Sequence, residues 1–549
     1  MTHLPRYNSK KESCMRQQAI IAALSLSLAG ISVLGGRAQT RAAANPSAFH
    51  LLEATIDDVQ AAFQAKQLTC RTLVELYLRR IDAYDKAGPS LNAVQTVNPH
   101  ALREADRLDA AFRSSGPTGP LHCIPTLVKD QVETSDMPTT FGSVLFKDFI
   151  PQRDATIVSR LRNAGAVIIG KSTMGEYAAG YLSSASASGA IRNAYDPRRH
   201  ASGSSGGSGA GVAANFAMVS IAEDTGGSIR GPAAVSSLVG LRPTVPLVSR
   251  HGMFPARPST DTLGPIARSV RDAALLLDVI AGYDPKDPVT AQSVGQIPKS
   301  YTSFLAPDGL KGARVGVIRQ PMDPKTDPAS PDYRRVKTVI DQAIGTLRTL
   351  GAEVVDPVVI SDLIERVNKP YDGNVFETEP AINAYLAQHP NAPLKTLRDI
   401  LLSGKVVPSR VRVLMLSAGR SPEDAAYLPI LRSVQETRQL IFSVMADQRL
   451  DALVYATFDH PPAEIGSDDM TNPALETTGV GSNRRLSPIL GFPAMSVPAG
   501  FTSDGLPVGI EFLARPYAEP TLFKFAYAYE QATRHRRPPA STPALRGEP

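Results

Sequence analysis

Lys129, Ser204 and Ser228 are the residues whose types and settings could act together as a catalytic unit. Residues 201–244 read A-S-G-S-S-G-G-S-G-A-G-V-A-A-N-F-A-M-V-S-I-A-E-D-T-G-G-S-I-R-G-P-A-A-V-S-S-L-V-G-L-R-P-T. Two glycine-and-serine turns are thus joined by a run of small and apolar residues, which can hold two hydroxyls at a fixed separation. A serine hydroxyl is a poor nucleophile at neutral pH until a neighbouring base takes its proton. Lysine can be that base only when neutral, so burial has to lower it from about 10.4. Lys129 closes the apolar run Ile124-Pro125-Thr126-Leu127-Val128, a setting that supplies such burial. Two serines and one lysine point to acyl transfer without histidine. Ser228 is read as the nucleophile, Ser204 as the proton relay and Lys129 as the base. Two glycines let Thr225-Gly226-Gly227-Ser228 turn sharply. The N–H groups of those four residues can then converge on one point as an oxyanion hole. Asp224 and Arg230, on either side, are read as hydrogen-bonding supports of the turn.

The elements that must carry these residues follow from periodicity. Thr55 precedes an apolar helical face of Ile56, Val59, Ala62 and Phe63, and 72–84 and 101–112 continue as helices. Residues 121–128 read as a buried strand, 155–163 as a helix ended near Gly165, and 166–169 as another buried strand. Strand 315–318, helix 333–350 and strand 353–355 repeat the rhythm, and 451–455, 494–497 and 506–513 supply later strands. Helix, glycine and strand in alternation signal an α/β sandwich. Residues 362–438 are helical and proline-interrupted, an insertion expected to shape a pocket.

Two motifs compete for the same residues. Gly165-Ala-Val-Ile-Ile-Gly170-Lys171-Ser172 matches a P-loop letter for letter, but its middle residues are themselves a buried strand rather than an open phosphate cradle. Gly203-Ser-Ser205-Gly-Gly207 matches a nucleophile elbow, which would make Ser205 the nucleophile of an α/β-hydrolase-type esterase, with His251, His389 and His460 available downstream. The elbow must follow an apolar strand, yet Pro197-Arg-Arg-His-Ala201 precedes it. No lysine has a serine three residues before it, so penicillin-binding chemistry fails. An exported protein that only binds a ligand is the non-enzymatic alternative.

The whole set resembles the amidase signature family. Carrying the resemblance are Pro125-Thr-Leu-Val-Lys129-Asp130, Lys171-Ser-Thr-Met-Gly-Glu176-Tyr, Asn193-Ala-Tyr-Asp196-Pro197, Gly203-Ser204-Ser205-Gly206-Gly207-Ser208, Asp224-Thr-Gly-Gly-Ser228-Ile-Arg230 and Gly240-Leu-Arg-Pro243-Thr244. Gly491-Phe-Pro493-Ala494, Ser496-Val-Pro498 and Gly505-Leu-Pro507-Val-Gly509 extend it. The resemblance implies a single-domain α/β/α sandwich with a mixed central sheet and hydrolysis of a carboxylic amide to an acid and ammonia or an amine. It places the lysine on Lys129, the nucleophile on Ser228 and the bridging serine, preceded by a cis peptide, on Ser204. It also implies that no cofactor is needed. The chain departs from the pattern at two places. Ser202 stands where the family usually has glycine, and Ala222-Glu223 replace the usual Gly-Thr.

Composition bounds the rest. The chain has 549 residues, is 43% hydrophobic and carries a net charge of +6. Lys and Arg are scattered, so no stripe for nucleic acid is formed. Residues 1–44 read as a secretory leader: basic residues Arg6, Lys10, Lys11 and Arg16, an apolar run at 19–34, then Ala42-Ala43-Ala44, with Gly36-Arg37-Ala38 as a second cleavage site. The run is short for a membrane span of about 20 residues. An uncleaved anchor is the alternative, and otherwise no membrane span remains after processing. The expected mature protein is exported, with the amidase domain at 50–536 and a tail at 537–549. The glutaminase component of a tRNA-dependent amidotransferase shares the signature, but works inside the cell. Cys70 and Cys123 are read as unpaired buried thiols, with a disulfide the alternative in an oxidising compartment. No metal-ligand spacing occurs. The expected partner is a small-molecule amide, and a homodimer is compatible with this reading.

Overall fold

Local signals start the helices. The computed structural model describes residues 48–475 and 479–549, and the leader expected at 1–44 lies outside them. Thr55 and Asp58 close a capping box on the helix Ile56–Gln64. Thr69 accepts from Thr72 N at the start of Cys70–Tyr84, and Ser330 with Pro331 opens Pro331–Thr349.

The strands are β1 (Val94–Val97), β2 (Pro125–Lys129), β3 (Val167–Ser172), β4 (Ser184–Ala185), β5 (Gly189–Ala190), β6 (Val219–Asp224), β7 (Val239–Arg242), β8 (Thr262–Ala267), β9 (Arg314–Ile318), β10 (Glu353–Val358), β11 (Ala452–Ala456), β12 (Ala494–Phe501) and β13 (Pro507–Leu513). Eleven of them form one mixed sheet in the order β1-β3-β2-β6-β8-β7-β12-β13-β11-β9-β10, while β4 and β5 pair separately. β2 runs parallel to β3 and β6, and β9 runs parallel to β10 and β11. β12 and β13 join the two halves through antiparallel ladders to β7 and β11. This is the expected α/β fold with a mixed sheet. The P-loop match at 165–172 is absorbed by β3, every residue of which is buried.

Helices 206–213 and 230–234 pack on the centre of the sheet, and 331–349 and 519–533 on its later half. Between β10 and β11 lie Leu363–Gly373, Thr378–Ala387, Leu397–Leu402, Pro408–Met415 and Leu428–Asp447, with no strand among them. Leu363 and Val367 meet Ile441 and Met445 in one apolar cluster. Ile382, Tyr385 and Leu414 join Phe141 and Phe254 in another, which seats these helices on the loop after β2. Residues 537–549 fold back on the start of the chain: Leu51 N donates to Pro549 O (3.1 Å), and Arg80 pairs with Glu548 (2.9 Å) with both side chains buried.

One expectation is corrected. Cys70 and Cys123 are bonded as a disulfide, with Cα atoms 5.5 Å apart. Their 53-residue separation hid this. Cys70 opens its helix beside the segment that enters β2, and Cys123 lies in that segment.

Candidate active site

Parallel register brings the lysine to the second turn. Thr126, Leu127 and Val128 of β2 pair with Val219, Ser220 and Ile221 of β6. Lys129 therefore ends its strand beside the point where β6 runs into Asp224. The carboxyl ends of parallel strands are where α/β sheets present their sites. Lys129 is fully buried, and its Nζ lies 2.7 Å from Ser204 Oγ. Burial pushes the Lys129 ammonium below its ordinary value, against the opposing pull of nearby carboxylates, Glu223 first. Ser204 follows a cis Gly203–Ser204 peptide, and its carbonyl accepts from Gly175 N at 2.9 Å.

Asp224 organises the turn that carries Ser228. Its carboxylate accepts from Gly227 N (2.7 Å) and Ile229 N (3.0 Å), and is flanked by Arg230 Nε (3.3 Å) and Arg242 Nη1 (3.1 Å). Burial opposes its charge, but the two guanidiniums outweigh that and hold the carboxyl well below the usual range. Arg230 is itself fixed by Glu511 of β13 and by the carbonyl of Arg484 at 2.8 Å. Asp224 and Arg230 thus brace the turn from inside the protein.

Only one of the three candidate groups reaches the cavity. A cavity of about 400 Å³ is lined by Thr225, Gly226 and Ser228 together with Tyr181, Tyr371, Ile382, Leu414 and Leu416, and with charged groups that include Arg257, Asp323 and Arg412. Ser228 keeps 8% exposure, whereas Lys129, Ser204 and Ser205 keep 0%. Ser205 Oγ donates to the carbonyl of Glu223 (3.0 Å) at the start of the helix Gly206–Ala213, with no strand leading into it. The elbow's strand–turn–helix context is absent there.

The four-donor oxyanion hole needs one correction. Gly227 N–H is spent on Asp224 and does not line the cavity, leaving Thr225, Gly226 and Ser228 as the candidate donors. Gly227 instead supplies backbone freedom, with φ at +116°, and a side chain there would overlap Arg484. A Cβ at Gly226 would overlap the Tyr371 hydroxyl.

Three contributors do not stand out in the sequence. Glu223 Oε2 lies 2.7 Å from Lys129 Nζ, with both side chains fully buried. Arg484 Nη1 donates to the carbonyls of Gly203 (3.3 Å) and Gly227 (2.9 Å), so one guanidinium ties the two serine turns together. It stacks over Phe458 and Tyr181, and burial brings it down to about 10. Glu511 is the third. In the sequence Glu223 is only a departure from the family pattern and Arg484 only half of an arginine pair; the contacts that matter are made by residues distant along the chain. Among the described residues, no three His, Cys, Asp or Glu side chains converge as a metal would require. No helix among them is long and apolar enough to cross a membrane.

Comparisons with known proteins give the family of the chain. The sequence profile of the Amidase family matches residues 72–523. A probable amidase of Arabidopsis thaliana is 34% identical over 542 residues, covering 94% of this chain and 96% of the relative. A component of the glutamyl-tRNA(Gln) amidotransferase of Symbiobacterium thermophilum is 35% identical, covering 88% of this chain and 97% of the relative. Among solved structures, the peptide amidase of Stenotrophomonas maltophilia superimposes with a TM-score of 0.80 at 38% identity, covering 89% of this chain and 99% of that one.

Proposed function

This chain belongs to the amidase signature family and hydrolyses carbon–nitrogen bonds of amides, and from that premise we propose a mechanism for its particular residues. Ser228 attacks the amide carbonyl from the cavity wall. Ser204 takes the Ser228 proton and passes its own to Lys129. The N–H groups of Thr225, Gly226 and Ser228 receive the charge that develops on the carbonyl oxygen. The proton then returns through Ser204 to the leaving nitrogen, and water releases the acyl group from Ser228. The observation that carries the reading is the 2.7 Å contact between a buried lysine amine and a buried serine, behind a second serine that lines the cavity.

The cavity walls mix aromatic and apolar side chains with Arg257, Asp323, Arg412 and Arg485, which suits an amide that offers both apolar and polar groups. The likeness to a peptide amidase makes peptide amides the class to try first. Ammonia release from such an amide tests both parts. Ser228→Ala is expected to abolish turnover in a folded protein, while Ser205→Ala retains most of it. An active Ser228→Ala with an inactive Ser205→Ala would overturn the assignment.

Export through the leader at 1–44 belongs to the same proposal. The Cys70–Cys123 disulfide supports it, since such bonds persist in oxidising compartments. Intact mass of the native protein is the measurement; a start after Ala44 or Ala38 is expected, and retention of Met1 in the cytoplasm would sink it.

A further inference from the structure

Glu223 stands where the family usually has threonine, and its carboxylate is the nearest charged partner of the lysine on which the proposed mechanism turns. Lys129 Nζ sits between two acceptors, Ser204 Oγ and Glu223 Oε2, each at 2.7 Å. A lysine held by a carboxylate in a dry site is not a free base. If it carries its proton it cannot take another; if it is neutral, the proton resides on the acid beside it. Both descriptions are tautomers of one pair holding one proton, and such a pair titrates as a unit.

We propose that the terminal proton acceptor in this enzyme is the Lys129–Glu223 pair, with Lys129 passing a proton to Glu223 Oε2 as it receives the one from Ser204. The inference rests on the Ser228–Ser204–Lys129 reading and deepens it. The proton balance closes without another reactant. Ser228 gives its proton to Ser204, Ser204 gives one to Lys129 Nζ, and Lys129 gives one to Glu223. The same three transfers run backwards to protonate the departing nitrogen.

The surroundings are arranged to hold that proton. The charged groups around Glu223 are Lys129 from β2, Asp224 from its own strand, Asp261 from the turn into β8 and Arg242 from β7. Asp224 is committed to Arg230 and Arg242. Thr225 Oγ1 contacts both Glu223 Oε1 and Asp261 Oδ1, the latter at 2.7 Å. One hydroxyl has one proton to donate, so the second contact calls for a proton on a carboxyl. Burial, with the charge of Glu223 adding to it, raises Asp261 to about 6. Asp261 Oδ2 is held in place by the N–H groups of Ala256 (2.8 Å) and Arg257 (2.9 Å).

The consequence is a working range set by a carboxyl. The active form holds one proton on the pair and is lost when a second binds, a step that belongs to the acid rather than to the amine. Without the carboxylate, the active form requires Lys129 itself to lose its proton, which happens at higher pH. The test is the pH profile of kcat/KM, whose acid limb reports the free enzyme's essential base. Glu223→Gln and Glu223→Thr should both move this limb alkaline by at least about one unit, a tenfold change in proton affinity, with much of the high-pH activity retained. A uniform loss at every pH with the limb unmoved would overturn the proposal and leave Glu223 a packing residue. If neither variant folds, the wild-type profile still decides: a limb above neutrality overturns the pair. An active Ser228→Ala measured alongside would signal failure of the underlying triad reading instead.

Discussion

In the proposed mechanism Lys129 has to be dry to be useful, and the end of a strand buried along its whole length is what keeps it so. The requirement is for a group that exchanges a proton, and a positive charge of the right size does not meet it. Lys129→Arg is therefore expected to be as inactive as Lys129→Ala, because a guanidinium stays protonated. Loss of a general base costs roughly 10²–10⁴-fold in rate. Kinetics of the arginine variant check this, and near-wild-type turnover would show the residue to be a charge only. At this scale the sequence is readable. Lys129, Ser204 and Ser228 each sit in a short local motif whose chemistry stands out without a fold. Glu223 and Arg484 do not. The first acts on a lysine 94 residues away and the second on a carbonyl 281 residues away, and neither distance leaves a mark in sequence. Gly227 misleads for a related reason. A glycine in a turn offers both an N–H and a backbone freedom, and only the Asp224 contact shows which is used.

Elements are legible where an amphipathic face or an unbroken apolar run marks them. The amphipathic helices and the strands β2, β3, β9, β11, β12 and β13 all coincide with expected segments. β6, β7 and β8 are not among those segments, although they form the middle of the sheet. They are buried on both faces, as β2 and β3 are, but no unbroken apolar run marks them: Glu223 and Asp224 interrupt β6, Gly240 and Arg242 β7, and Gly264 and Pro265 β8. The same crowding explains those glycines: a Cβ at Gly264 would overlap the carbonyl of Leu241. Between elements, Arg484 is the coupling that matters. Arg484→Met should leave the carbonyls of Gly203 and Gly227 without that donor, destabilising the fold by about 1–3 kcal/mol. The larger effect is expected in kcat, since misplacing reacting groups by about 1 Å can cost 10²-fold. Denaturant unfolding and steady-state kinetics on one preparation separate the two, and unchanged kcat would remove Arg484 from the positioning machinery.

Among the described residues, the C-terminal segment closes on the start of the fold, through Leu51 and Arg80. The Cys70–Cys123 bond links the helix Cys70–Tyr84 to the entry of β2, which carries Lys129. In the chain-entropy account a cross-link over 53 residues contributes about 4 kcal/mol. The Cys70→Ser, Cys123→Ser double variant should lose stability of that order in unfolding experiments, while an equal stability in both proteins would show the bond to be idle. The C-terminal residues reinforce the same region, with Glu548 on Arg80 of that helix. The order of the strands has a further bearing, on how the enzyme comes into being. β12 and β13 stand between β7 and β11, so the two halves of the sheet share no ladder until residues 494–513 are in place. Glu511, which fixes Arg230 under the turn that carries Ser228, arrives with the same hairpin. Lys129, Ser204 and Ser228 have all been synthesised by residue 228, yet more than half of the protein must still be added before the β12–β13 hairpin is complete. In the proposed mechanism the nascent chain therefore carries Ser228 without the support that Glu511 gives its turn until synthesis is all but complete.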